Sequence, residues 1–473
     1  MGQEIHDSHF EAGDFALFQQ RLDEETALLG EWLADGGLRI DQPLIGCELE
    51  AWLVDDAGRP AAVNERVLDR LGDPLVVPEL ASFNVELNNQ PRALEPGVFD
   101  AMQAEMAGRW QACQAAAMQD NARLLMIGIL PTVRQQDLCL DNMSMLQRYR
   151  ALNEQVLRLR QGRPIRIDIA GREHLRREHG DVMLEAATTS FQLHYMVDPR
   201  QAARAFNLSK MLAAPLVAMA ANSPYLFGHD LWDETRIPLF EQAVSVGGSS
   251  YSQRVTFGIR YAEQSIFECF EANRARYPVL LPRMMDEPPE QLAHLRLHNG
   301  TVWRWVRPLV GFSADGSPHI RIEQRVLPAG PTVQDGIANA AFWYGAMTEL
   351  LAGPPGEMEA RLPFSVARAN FYAAARDGLD AQVQWCGQAG EMAALCLNRL
   401  LPLAERGLQR LGLADEEIGR WLGMLQQRVA RRATGAGWQR SWVARHGADF
   451  TGLVCDYAER QQSGLPIHQW PAG

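Results

Sequence analysis

The sequence predicts an α+β fold: long amphipathic helices interspersed among short alternating strands, without the regular strand–helix–strand order of a parallel sheet. Two observations carry that expectation. Four separated segments alternate apolar and polar residues with period two, as strands do when one face is buried and the other open, so antiparallel or mixed pairing is expected. Elsewhere apolar residues recur at helical spacing, and from about residue 364 to 462 the chain reads as almost all helix.

In order, Phe15–Ala34 reads as an amphipathic helix ended by Gly36-Gly37, and Leu44–Val54 as a strand running into a DDAGR turn. Phe83–Leu87 alternates as a second strand. Pro96–Leu125 has a long helical pattern, followed by a short buried strand, Leu124–Leu130, stopped by Pro131. Ser144–Gln161 is helical, Thr188–Val197 alternates, and Pro199–Ala221 is helical up to the turn at Asn222-Ser223-Pro224. Residues Ile237–Ala293 are mixed. Gly300–Val306 and His319–Val326 read as strands, and Thr332–Leu351 as a helix ended by Gly353-Pro354-Pro355. No Pro/Ser/Gly-rich tether precedes the helical tail, so residues 361–473 are expected to form a lobe packed on the same domain as residues 1–360.

Composition narrows the chemistry. The 473 residues are 47% hydrophobic and 22% charged, as in a globular protein, with 58 acidic against 45 basic residues and a net charge of −13. That balance argues against a nucleic-acid surface. Lys210 is the only lysine, in an apolar helical stretch, so neither a P-loop nor a Schiff-base mechanism is expected, and any use of ATP leans on arginine and metal. Seven cysteines without a CxxC pair suit reduced thiols in a cytoplasmic protein, with Cys47 and Cys139 read as small buried side chains. The first residues lack a signal-peptide pattern, and no apolar run is long enough for a membrane span. The run from His174 to His179 misses the H-x-x-E-H zinc spacing and reads as a solvated charged turn. Gly247-Gly248-Ser249-Ser250 lacks a nucleophile-elbow frame and reads as an ordinary loop.

The four alternating strands share a chemical habit. Glu48 and Glu50 lie opposite Cys47, Leu49 and Ala51; Asn84, Glu86 and Asn88 lie opposite Phe83, Val85 and Leu87. Ser190, Gln192 and His194 alternate with Phe191, Leu193 and Tyr195, and His319, Arg321, Glu323 and Arg325 with Ile320 and Ile322. Period two leaves two readings open: separate wet faces, or one acidic wall. If the strands share a sheet, four clustered glutamates repel one another unless cations sit among them, and Mg²⁺ or Mn²⁺ is the natural counter-ion for such oxygen ligands. Arg321 and Arg325 would then hold phosphate oxygens, the combination phosphoryl transfer requires.

These residues resemble a known family. Gly46-Cys47-Glu48-Leu49-Glu50 is similar to the G-x-E-x-E opening strand of glutamate–cysteine ligases and related carboxylate–amine ligases. Glu79, seven residues before Glu86, resembles that family's acidic pair. Ser190–His194 is similar to its next strand, with Gln192 where bacterial members carry His. Ala221–Tyr225 matches its A-N-S-P-aromatic turn, followed by Arg236, and Arg307-Pro308 with HIRIEQR (319–325) resembles the closing stretch. The resemblance implies a glutamine-synthetase-like fold, a curved, mainly antiparallel sheet backed by helices. It also implies an ATP- and Mg²⁺-dependent ligase that phosphorylates a carboxylate, usually the γ-carboxylate of glutamate, and joins it to an amine. In that scheme Glu48, Glu50, Glu79, Glu86, Gln192 and Glu323 hold the metal ions. Glu323, Arg325 and Arg236 act in catalysis, and Arg321, Arg325, Asn222 and His194 contact the nucleotide. The implied partners are small molecules, neither nucleic acid nor membrane. Two alternatives stay open on the same fold: an amino-acid-kinase-like phosphotransferase and a non-catalytic nucleotide- or metabolite-binding regulator.

Overall fold

A computed structural model describes residues 10–38, 40, 42–247, 253–471 and 473. Most of the 247–250 loop singled out above lies outside the described residues. The centre is an eight-stranded sheet: β1 (Leu44–Val54), β2 (Val76–Pro78), β3 (Asn84–Asn88), β4 (Arg92–Ala93), β5 (Arg123–Leu125), β6 (Ser190–Val197), β7 (Val306–Phe312) and β8 (Pro318–Pro328). Its spatial order is β7-β8-β6-β1-β3-β2, with β4 and β5 also pairing β1 at its two ends, and every pair is antiparallel. The sheet curls into a half-barrel, and the register shifts between Gln324 and Leu327, where β8 bends against β6.

One face of the sheet packs on helices. Ala202–Ala220 and Val333–Ala352 are buried along nearly their whole lengths, because both are rich in Ala, with Leu and Met, and the second also in Gly, which allows close approach to the strands. Tyr344, on the second helix, bridges the carbonyls of Gly46 and His194 at 3.0 and 2.8 Å, tying β1 to β6 from behind. The other face is open.

The structure corrects several boundaries. Strand β7 starts at Val306; the expected 300–306 strand is instead the end of a helix, Ala293–Gly300, and its exit. Asn299 lies just before Gly300 and donates to Pro308 O (3.0 Å), drawing the chain across to β7. Of the expected 124–130 strand only Leu124 and Leu125 pair with β1, and the strand starts one residue earlier, at Arg123. The charged run His174–His179 is a strand paired with Ile165–Ala170, whose three isoleucines are buried while its alternate residues are exposed. The tail is mainly helical but contains a hairpin, Gln382–Trp385 with Gln388–Glu391.

That tail is fastened by buried polar contacts. Arg428 Nη2 lies 2.8 Å from Asp335 Oδ1, with both side chains at or below 1% exposure. Arg428 also donates to Asn339 (2.6 Å). Tyr457 Oη lies 3.0 Å from Met126 O, beside β5, and Gln461 accepts from the same residue's N–H. Asn222 is the knot: its amide nitrogen donates to Ala329 O and Tyr457 Oη, and its oxygen accepts from Gln439 Nε2.

Candidate active site

The open face carries the acidic residues because of register. Antiparallel partners point to the same side, so the pairs Glu50–Glu86, Glu48–Gln192, Glu323–His194 and Glu323–Arg307 project together. Glu79 joins them from the short connection between β2 and β3, where its backbone carbonyl accepts from Ser144 Oγ (2.5 Å). Two triads result. Ligand atoms of Glu48, His194 and Glu323 lie within 4.8 Å of one another, as do those of Glu50, Glu79 and Glu86. Their five glutamates line a cavity of about 350 Å³, within the range of small-molecule sites.

Fixed cations stand beside the triads. Arg307 pairs with Glu323 through Nε and Nη2, and Arg325 Nη1 lies 3.2 Å from the same carboxylate. Burial would raise the Glu323 pKa, but Arg307 and Arg325 outweigh it and hold the group at about 2, an anion at all working pH values. The second triad behaves oppositely. Burial, reinforced by Glu48, pushes Glu86 up to about 7, and burial with Glu86, Glu50 and Glu185 pushes Glu79 well above the ordinary range. Glu50 is held in place by Ser190 N (2.7 Å), Ser190 Oγ (2.8 Å) and Gln192 Nε2 (2.9 Å).

The donor set fits a hard divalent cation at each triad. His194 Nε2 is buried 3.0 Å from a Glu48 oxygen and 4.0 Å from a Glu323 oxygen. An imidazole buried between two carboxylates is a donor set that a divalent metal can use. Three buried guanidinium atoms facing this region lack partners: Arg307 Nη1, Arg321 Nε and Arg325 Nε. Unsatisfied buried donors are costly, and phosphate oxygens would satisfy all three.

The structure thus gathers Glu48, Glu50, Glu79, Glu86, His194, Glu323, Arg321 and Arg325 as the sequence pattern suggested, and moves three other residues. Gln192 lines the cavity, but its nitrogen donates to Glu50 and its oxygen accepts from Arg325, so it positions those groups, while His194 is the side chain of that strand that stands with Glu48 and Glu323. Arg236 is buried, with Nε 3.1 Å from Glu234 and Nη2 donating to the carbonyls of Arg325 and Val326; its donors are spent on holding β8. Asn222 is spent on the tail. Neither Arg236 nor Asn222 is among the described residues lining the cavity.

Sequence reasoning missed Glu185, Arg148 and Arg296, which all line the cavity, and gave no role to Arg307. Glu185 sits on a 3₁₀ turn, Val182–Ala187, where period two does not apply. Burial and Glu50 push its pKa to about 8. Arg307 was legible by alternation, since it lies between inward Val306 and Pro308.

A curled antiparallel sheet with paired carboxylate triads and arginines on its open face is the site of a nucleotide-dependent ligase of the glutamine-synthetase-like kind. The model of glutamate–cysteine ligase family 2 matches residues 44–456, and the chain belongs to that family of ATP-dependent carboxylate–amine ligases. Among solved structures it is similar to a glutamate–cysteine ligase from Francisella tularensis in complex with AMP, with 12% identity and a TM-score of 0.57, covering 92% of this chain and 91% of that one. It is also similar to a bifunctional glutathione synthetase from Pasteurella multocida, with 11% identity and a TM-score of 0.55, covering 93% of this chain and 54% of that one. No curated protein matches the sequence. Among the described residues no helix is long and apolar enough to cross a membrane.

Proposed function

We propose that this protein is a cytoplasmic ligase that uses ATP and Mg²⁺ (or Mn²⁺) to phosphorylate the γ-carboxylate of a glutamate-like acid and joins it to an amine, giving a γ-glutamyl amide, ADP and phosphate. The observation that carries the reading is the pair of triads beside three guanidiniums with unpartnered buried N–H groups. Glu48, His194 and Glu323 would hold one cation, and Glu50, Glu79 and Glu86 another. Bound there, divalent cations would neutralise phosphate charge and polarise the transferred phosphoryl group. Arg307, Arg321 and Arg325 supply donors already oriented by the strands, so little reorganisation accompanies charge build-up on the phosphate. Glu323 holds Arg307 and Arg325 in place. The amine attacks the acyl phosphate carbon, its proton leaves to a base, and phosphate departs.

The test is ADP release from Mg-ATP with glutamate, with and without a panel of amino acids and simple amines. Amine-stimulated release with a new amide in the mass spectrum supports ligation. Release that needs no amine indicates a phosphotransferase, and tight Mg-ATP binding without turnover for any acid indicates a regulator.

A further inference from the structure

Away from the carboxylate wall, the only lysine of the chain lies in an unusual place. Lys210, on the Ala202–Ala220 helix, is 1% exposed. Its ammonium donates to the Phe257 carbonyl and faces the rings of Phe206, Phe257 and Phe364 at 4.6, 4.8 and 5.9 Å. Arg304 stands beside it: a Cβ on Gly258 would lie 3.2 Å from Lys210 Nζ and 3.3 Å from Arg304 Nη1. A side chain at Gly258, which sits at φ +97°, would crowd both cations, so the backbone there comes close to the pair.

No anion of the described residues neutralises the pair. Among the described residues neither Lys210 nor Arg304 has a carboxylate partner, and Arg304 donates to the Tyr277 hydroxyl at 3.1 Å. Glu268, the carboxylate on the same cavity, accepts from the N–H groups of Glu263, Gln264 and Ser265 and pairs with Arg260 at 2.7 Å. Burial raises the neighbouring Cys269 thiol to about 11, so it stays neutral. Two adjacent cations, one of them fully buried, are costly without a counter-charge. The burial and the Arg304 charge lower the Lys210 pKa to about 7. The cavity they line, with Arg260 and Arg276, measures about 40 Å³. That is room for roughly three waters or one small oxyanion, and too little for a nucleotide.

We propose that Lys210 and Arg304 form a second binding site, separate from the carboxylate wall, that seats one small oxyanion, phosphate or a short carboxylate, in this cavity. Binding brings the missing negative charge and keeps Lys210 protonated beside Arg304, which lines the same cavity. The aromatic box excludes water from the ammonium and sharpens the preference for a compact ion.

A single lysine makes the test direct. The full-length protein is labelled with ¹³C,¹⁵N-lysine, giving one side-chain NMR signal, and titrated at constant ionic strength with inorganic phosphate, with acetate, and with chloride as reference. A saturable shift with phosphate or acetate, beyond that of chloride, is expected, with the more effective ion naming the source. It should persist in Arg325→Gln, which removes a phosphate donor of the main cavity, and weaken at least tenfold in Arg304→Gln. No shift beyond chloride, a shift retained in Arg304→Gln, or one lost in Arg325→Gln would each overturn the proposal.

Discussion

Glu50 and Glu86 face each other directly across the β1–β3 ladder, on the open side of the sheet. Like charges opposed in this way are destabilising, and Glu79 adds a third carboxylate to the same point. The site is therefore arranged against its own charge, and its behaviour with pH and cations follows from that.

In EDTA, stability should fall as pH rises from about 5 to 8. Glu86 moves from 4.5 to about 7 on folding, and Glu185 to about 8. Their folded forms hold protons that the unfolded chain has released, so this contribution is complete below pH 4.5 and is lost as pH climbs through 7–8. Each group contributes a slope of about 1 kcal/mol per pH unit in that window. Saturating Mg²⁺ should flatten the slope by binding the ionised triad. Thermal unfolding at several pH values, with and without Mg²⁺, checks this; identical slopes would refute cation binding at the triad.

Glu323→Gln should lower kcat by about 10²–10³-fold, since it releases Arg307 and Arg325 from their oriented positions and removes a candidate ligand. Far-UV circular dichroism should remain that of the wild type. Activity within a factor of three of wild type would take Glu323 out of the mechanism.

His194→Asn and Gln192→Leu should separate ligand from positioning residue. The histidine substitution should raise the Mg²⁺ concentration for half-maximal activity by about 10–100-fold. Gln192→Leu should lower kcat at saturating Mg²⁺ with a smaller change in the metal requirement, because it frees Glu50 and Arg325. The reverse ranking would restore Gln192 as the ligand.

Arg428→Met should destabilise the whole chain by about 3–5 kcal/mol, the cost of stranding a buried partner charge, here Asp335. Denaturant unfolding followed by tryptophan fluorescence and by circular dichroism should stay a single coincident transition. Separate transitions would show that the tail unfolds as a unit of its own.

Much of this was legible in the sequence because the sheet side chains obey period two: Glu48, Glu50, Glu86, Arg321, Glu323 and Arg325 could each be assigned to the polar face of its own strand without knowing which strands are neighbours. Register could not be read, and register is what opposes Glu50 to Glu86 and His194 to Glu323. Gln192 and His194 share a face, so alternation alone could not choose the ligand between them; the choice depends on which side chain is already engaged. Arg236 and Asn222 fall in recognisable motif positions, yet their donors are consumed by carbonyls and side chains from distant segments, contacts a linear pattern does not contain. Glu185 and Arg148 lie on a 3₁₀ turn and at the start of a helix, where no strand period applies.

The central claim is that two triads on one concave sheet each hold a divalent cation against a nucleotide. Crystals grown with Mn²⁺ and a non-hydrolysable ATP analogue, measured for manganese anomalous scattering, address it directly. One peak is expected among Glu48, His194 and Glu323 and another among Glu50, Glu79 and Glu86, with the phosphates between them and Arg325. Manganese bound elsewhere, or a nucleotide seated away from these residues, would contradict the account.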